Sequence, residues 1–237
     1  MPGMTRRAAL ARWMRWAGGT AATVSWMLGT GSAWAGGGAY EAFFEALRRD
    51  DVRALEALRA RGFDLNTVDA AGQPGLLLAI REGSLRAAAF LVEQPGVDLD
   101  ARNANGENAL MLAALRGQEA LLRRLLASGA EVNQPGWAPL HYAAAQPGEA
   151  GAGLVALLLE HSAYIDAESP NGTTPLMMAA RYGSEAAVRA LLEAGADPTP
   201  RNQQGLGALE FATASGREPV ARLIAQALRA RRGPASW

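Results

Sequence analysis

The chain has 237 residues, of which 49% are hydrophobic and 6% aromatic, and its 23 arginines balance 23 acidic residues. The absence of cysteine excludes disulfides, a thiol nucleophile and thiolate metal sites. A net charge of zero gives no indication of a nucleic-acid binder.

Residues 1–35 have the pattern of a secretory signal peptide. Four arginines and no acid come first, then an apolar stretch rich in small residues, then the cleavage site Ala33-Trp34-Ala35. An uncleaved anchor is the alternative, although the stretch is short and glycine-rich for a membrane span. Residues 5–10 partly match a twin-arginine signal, so both export routes stay open. We therefore predict a periplasmic or secreted protein with no membrane segment after cleavage.

Cleavage changes the charge of the chain. Loss of four arginines from a chain with 23 arginines and 23 acids leaves a net charge of −4. A mildly acidic surface argues against DNA, RNA or anionic lipid as a partner.

A short pattern similar to Gly-Ala-Asp follows a helical segment and recurs at intervals of 34, 33, 33 and 33 residues. A leucine that begins a short Ala-rich segment recurs with nearly the same period, and a second helical segment follows each one. A period near 33 with two helical segments per unit indicates a stacked repeat array. The closing pattern begins at Gly62, Gly96, Gly129, Ser162 and Gly195, and the leucines are Leu76, Leu110, Leu140, Leu176 and Leu209.

The segments PLHYAA at 139–144 and TPLMMAA at 174–180, together with the Gly-Ala-Asp-like unit ends, resemble ankyrin repeats of an exported bacterial protein. The resemblance covers roughly residues 41–229. It implies an all-α solenoid of helix-turn-helix units with projecting β-turn fingers. The expected organisation is an ankyrin repeat domain at 36–229, with capping units at 40–66 and 205–229, internal repeats at about 70–100, 103–133, 136–166 and 171–198, and a basic flexible tail at 230–237.

One repeat departs from the others. Its finger is three residues short and the loop between its helices is three residues longer, so the period is kept. The short finger carries Trp137, the only tryptophan inside the array. Two interpretations stay open: a partner anchor, since aromatic anchors dominate interfaces, or a plug that fills the gap left by the missing turn.

The sequence contains no recognisable catalytic, cofactor or metal site. His141 and His161 are the only histidines, and no third ligand is visible near them. The resemblance implies that His141 hydrogen-bonds neighbouring fingers. Five acids recur once per unit and are interpreted as turn hydrogen-bonders, namely Asp64, Asp98, Glu131, Asp166 and Asp197.

An elongated stack exposes a concave surface of fingers and first helices. We expect another protein to bind to this surface, and we expect the chain to be a monomeric scaffold without enzyme activity. The alternative is that the exposed residues of this surface are simply solvated and bind no partner. Two narrower functions stay open: an inhibitor or immunity-type binder of an envelope enzyme or toxin, and a protective partner of an exported enzyme. The candidate partner-binding residues are Trp137, Tyr142, Arg81, Arg116, Arg181 and Tyr182.

We predict that the mature protein begins at or near Gly36. Signal peptidases cleave after small residues such as those of Ala33-Trp34-Ala35, so N-terminal sequencing of the exported protein is expected to start there. Recovery of intact Met1 in a membrane fraction would contradict this prediction and support the anchor.

Overall fold

The computed structural model describes residues 37–232, so the predicted signal peptide and residues 233–237 lie outside the described residues. This range contains twelve α-helices and no β-strand beyond an isolated bridge between Val68 and Pro74. The predicted all-α fold is confirmed. The helices form six pairs, called units 1 to 6: α1 (Gly37–Arg48) and α2 (Val52–Ala60); α3 (Gly75–Glu82) and α4 (Leu85–Val92); α5 (Ala109–Leu115) and α6 (Glu119–Ala127); α7 (Pro139–Ala144) and α8 (Ala150–Glu160); α9 (Pro175–Arg181) and α10 (Glu185–Glu193); α11 (Ala208–Ala214) and α12 (Glu218–Arg232).

The helices begin where the sequence supplies a cap. Asn108 caps α5 by accepting a hydrogen bond from the Met111 N–H at 3.0 Å, and Ser184 caps α10 in the same way. The second helices are followed by left-handed residues where the closing pattern begins: Gly62, Gly96, Gly129 and Gly195, with Ser162 (φ 63°) in the remaining unit.

The first helices of units 2 to 5 have six to eight residues and lie almost wholly inside the array. Helices this short do not persist alone in water, so packing must hold them. Alanines without exposed surface let successive first helices approach closely, and at four of the five junctions they pack more closely than the second helices do. This difference places the concave surface on the first helices and fingers. The alanines are Ala79, Ala113, Ala114, Ala143, Ala144, Ala179 and Ala180.

Four of the five fingers share one turn. In each, a backbone N–H bonds the carbonyl four residues later at 2.9–3.0 Å, and a left-handed glycine bonds back at 2.8 Å. These turns occupy residues 69–73, 103–107, 169–173 and 202–206. The finger before α7 lacks this turn among the described hydrogen bonds, in agreement with the predicted three-residue shortening.

A ladder of side-chain to backbone hydrogen bonds joins successive units. At the end of each of units 1 to 4, an Asn or Asp oxygen accepts from a backbone N–H 31 or 32 residues later, at 2.8–3.0 Å. The asparagines also donate to a carbonyl of the next unit at 2.8 Å. The acceptors are Asn66, Asp100, Asn133 and Asp166.

The ladder corrects part of the prediction for the recurring acids. Asp64, Asp98 and Asp197 do accept from the backbone N–H two residues later, as turn hydrogen-bonders. Asp166 instead belongs to the ladder, because Tyr164 occupies the turn position of its unit. The longer side chain of Glu131 makes no such turn bond in the described part of the chain.

The C-terminal boundary also differs from the prediction. Helix α12 continues to Arg232, so residues 230–232 are helical and do not belong to a flexible tail. Arg231 lies 2.9 Å from an Asp197 carboxylate oxygen and ties the end of this helix to unit 5.

The tightest backbone approach between units predicts a large effect of a single methyl group. A Cβ at Gly183 would lie 2.1 Å from the Ala144 carbonyl oxygen and 2.9 Å from the Ala179 Cα. Because both neighbours are backbone atoms, Gly183→Ala is expected to lower the free energy of unfolding by about 1–3 kcal/mol or more. Urea titration followed by circular dichroism measures this change.

Gly38→Ala is the matched control, because Gly38 lies in α1 and its Cβ would meet nothing within 4 Å. Its stability is expected to stay unchanged or to rise slightly. Equal stability of the two variants would show that units 4 and 5 do not pack as described.

Candidate functional site

The concave surface contains a cleft of about 260 Å³ between units 2 and 3. Arg81 in the last turn of α3 and Arg116 at the C-terminal cap of α5 are exposed, because each follows the fully packed part of its helix. The structure thus brings two of the predicted partner-binding residues to one cleft. The lining residues are Gln73, Arg81, Asn103, Asn105, Glu107, Leu112, Leu115 and Arg116.

Hydrogen-bond donors dominate this cleft. Arg81 Nη1 donates to Gln73 Oε1 at 3.2 Å, and its Nε lies 3.6 Å from the neighbouring Glu82 carboxylate. Within residues 37–232, no carboxylate lies at salt-bridge distance from Arg116. Glu107 accepts from Asn103 Nδ2 at 2.9 Å. The cleft is therefore suited to an acceptor-rich, negatively charged group.

Arg181 and Tyr182 lie at the end of α9, on the same side of the array. The Arg181 guanidinium lies over the Tyr182 ring at 5.1 Å and near the Phe211 ring at 5.5 Å, which fixes its position. Tyr182 is only 9% exposed, and burial raises the pKa of its hydroxyl. Arg181 therefore reaches the surface, whereas Tyr182 mainly supports it from below.

The prediction of Tyr142 as a surface contact is wrong. Tyr142 is 2% exposed, and burial raises the pKa of its hydroxyl well above the usual range. The reason is its register, because the equivalent positions of the other units are also core residues. These are Leu78, Leu112, Met178 and Phe211.

Trp137 and His141 form one packed group at the shortened finger. The Trp137 ring is partly buried against the hydrophobic core and contacts the His141 ring edge-on, with centroids 5.2 Å apart. This contact favours the plug interpretation, while the anchor interpretation stays a prediction.

His141 has the structural role that the resemblance implied. Its side chain has no exposed surface, Nδ1 accepts from the Ala138 N–H at 3.1 Å, and Nε2 donates to the Thr173 carbonyl in the next finger at 2.9 Å. Because burial disfavours the charged ring, the His141 pKa is lowered to about 4. The ring is therefore neutral at pH 7, and both nitrogens are engaged.

Sequence reasoning missed two residues of note. Arg217 donates to the carbonyls of Ala179, Ala180 and Gly183 at 2.5–2.7 Å and so caps the end of α9. Tyr164 is 69% exposed and lines a cleft of about 680 Å³ beside the shortened finger. The sequence does contain a signal for Tyr164, because it replaces the acidic residue that the other units carry at this position of the turn.

Two further observations concern residues 37–232. None of their helices is both long enough and apolar enough to cross a membrane. They contain no cluster of three or more histidines and carboxylates placed to hold a metal ion.

The stacked helix pairs and connecting fingers define a solenoid of the kind that presents a binding surface. The family model for ankyrin repeats matches residues 43–136, 76–168, 121–202 and 140–231. The chain therefore belongs to the ankyrin repeat family, which is generally a non-catalytic module that binds other proteins.

Curated relatives share the repeats but are much longer. The chain is 36% identical over 151 residues to the p105 subunit of nuclear factor NF-kappa-B from Mus musculus, covering 61% of this chain and 15% of that protein. It is 37% identical over 128 residues to the tyrosine-protein kinase Shark of Drosophila melanogaster, covering 52% and 13%. The chain thus spans a small part of each relative.

Solved structures resemble nearly the whole array. An ankyrin repeat domain from Acinetobacter baumannii AYE has a TM-score of 0.67 at 24% identity, covering 79% of this chain and 98% of that chain. A chain from the structure of a predatory endopeptidase from Bdellovibrio bacteriovorus in complex with an immunity protein has a TM-score of 0.64 at 26% identity, covering 78% and 97%.

Burial of neutral His141 predicts a specific dependence of stability on pH. The pKa is about 4 in the folded chain and 6.5 for an ordinary histidine, so the unfolded chain binds the proton more tightly. The His141 contribution is therefore complete above pH 6.5 and is lost as the pH falls towards 4. The free energy of unfolding is expected to drop by about 3 kcal/mol over this interval through His141 alone.

The control is His141→Met, because Met111 and Met177 occupy the equivalent positions of units 3 and 5. Denaturant titrations of both chains at pH 7 and pH 4 measure the difference. The wild type is expected to lose about 3 kcal/mol more than the variant on acidification. Parallel pH profiles would show that His141 is not held neutral.

Proposed function

We propose that this chain is an exported scaffold, periplasmic or secreted, that binds another protein through its concave surface. The observation that carries the proposal is the cleft between units 2 and 3, where Arg81 and Arg116 stand exposed together. The pattern of the leader supports export.

Folding does not account for the two arginines. The Arg81–Glu82 pair is about half exposed and 3.6 Å apart, and such surface pairs stabilise a protein little. Arginine is enriched at protein interfaces, where its planar group forms several hydrogen bonds at once. The position of the two arginines beside Leu112 and Leu115 therefore favours a role in binding a partner over a role in stabilising the fold.

An immunity-type binder is the second candidate, and one observation favours it. The similarity to a chain in the complex of an endopeptidase with an immunity protein covers 97% of that chain at 26% identity. On this proposal the captured partner is an exported enzyme, and binding lowers its activity.

The test compares bulky substitutions on the two faces of the array. Asn105→Trp with Ser215→Trp adds bulk to the concave surface, whereas Ala156→Trp with Ala186→Trp adds equal bulk at exposed positions of the second helices. Each mature chain is immobilised and incubated with the exported fraction of the source organism, and bound proteins are identified and titrated.

The wild type and the variant with Trp at positions 156 and 186 are expected to capture the same protein. The variant with Trp at positions 105 and 215 is expected to bind that protein at least about tenfold more weakly, which corresponds to a loss of about 1.4 kcal/mol of binding free energy. Capture of no specific protein, or equal capture by both variants, would contradict the proposal. Loss of the partner's catalytic activity on binding distinguishes the immunity-type binder from a plain scaffold.

A further inference from the structure

We infer that the cleft between units 2 and 3 binds the carboxylate side chain of an acidic residue of the partner protein. The inference rests on the proposed function and names the chemistry that the concave surface recognises. Four observations support it.

Two guanidinium groups line one small cleft although they come from successive units. Arg81 has a single described carboxylate neighbour, Glu82, at 3.6 Å and half exposed to solvent. Arg116 has no carboxylate at salt-bridge distance in residues 37–232. An added carboxylate would give both groups the charge-assisted, bidentate partner that arginine geometry favours.

A buried amide also requires an acceptor. Gln73 lies in the wall of the cleft at 6% exposure, and its Oε1 is engaged by Arg81. This bond orients the amide so that Nε2 is the free end, and Nε2 has no hydrogen-bond partner in the structure. Ionised carboxylates only accept hydrogen bonds, whereas a cationic ligand would offer Gln73 Nε2 nothing.

Within residues 37–232, the acidic residue of the cleft forms no ion pair with either arginine. Glu107 Oε2 accepts from Asn103 Nδ2 at 2.9 Å and from Asn105 Nδ2 at 3.5 Å, within its own finger. Its carboxylate is therefore held to the finger by two amide donors.

The size and the remaining lining fit one side chain of a protein. At about 260 Å³ the cleft is smaller than pockets for drug-sized ligands, which begin near roughly 300 Å³. Leu112 and Leu115 supply an apolar wall for the methylene groups of Glu and for a neighbouring apolar residue.

The test uses two synthetic peptides that differ in one atom group. One is acetyl-Ala-Leu-Glu-Leu-Ala-amide and the other carries Gln in place of Glu. Each is titrated into the isotopically labelled mature chain while NMR follows the Arg81 and Arg116 Nε–H and the Gln73 side-chain amide. The Glu peptide is expected to shift these signals and to bind at least about tenfold more tightly than the Gln peptide, as removal of a charged hydrogen-bond partner predicts.

Charge-neutral variants locate the effect. Arg81→Gln with Arg116→Gln is expected to abolish the preference for the Glu peptide. Arg53→Gln with Arg59→Gln removes the same charge from exposed positions of α2 and is expected to keep it. Melting curves of both variants verify that the fold is retained.

The inference is overturned by equal shifts from the two peptides, by no shift from either, or by a preference that survives Arg81→Gln with Arg116→Gln. Its failure is distinguishable from failure of the proposed function. If the concave tryptophans still weaken capture of a partner while the peptides are not discriminated, the scaffold proposal stands and the carboxylate site does not.

Discussion

The close packing of successive first helices is the interaction on which the rest of the structure depends. A helix such as α7, with six residues, has neither the length to persist alone nor a face left for solvent. Each first helix is therefore stable only between its neighbours, and small alanines make that approach possible. Because the second helices pack less closely at four of the five junctions, the array presents its fingers and first-helix ends on one face, and the arginines of α3 and α5 meet there.

The connections between units are polar although the interior is apolar. Each of the first four unit ends offers one Asn or Asp oxygen to the next, which fixes the stacking register. Other polar contacts are added where a unit departs from the pattern. His141 bonds the following finger in the unit that lacks the regular turn, and Arg217 caps α9. The His141 bond is buried and the Arg217 bonds are partly buried, so these donors have few alternative partners and specify how the neighbouring unit packs.

Much of the fold could be predicted from the sequence, because period, leucine starts and closing glycines are local signals that repeat. Individual side chains were harder. Tyr142 looked like an interface aromatic, but its burial is decided by helical register and by neighbours from other units, which no local pattern shows. Asp166 was placed with the turn acids because a shift of two residues is invisible until Tyr164 is seen at the turn position. The sequence predicts that Arg81 and Arg116 lie on the same surface. Only the fold shows that they share one cleft, with Gln73 in its wall.

The ladder of hydrogen bonds between unit ends has a direction. Each acceptor side chain points from one unit to the next, so the two ends of the array are chemically different. At the fifth position of this series stands Thr199, whose hydroxyl donates to Asp197 of its own unit at 2.8 Å, while Arg231 of α12 donates to the Gly195 carbonyl at 3.3 Å. The series of acceptor side chains therefore stops after unit 4, and unit 6 is held to unit 5 by other contacts, among them the Arg231–Asp197 ion pair.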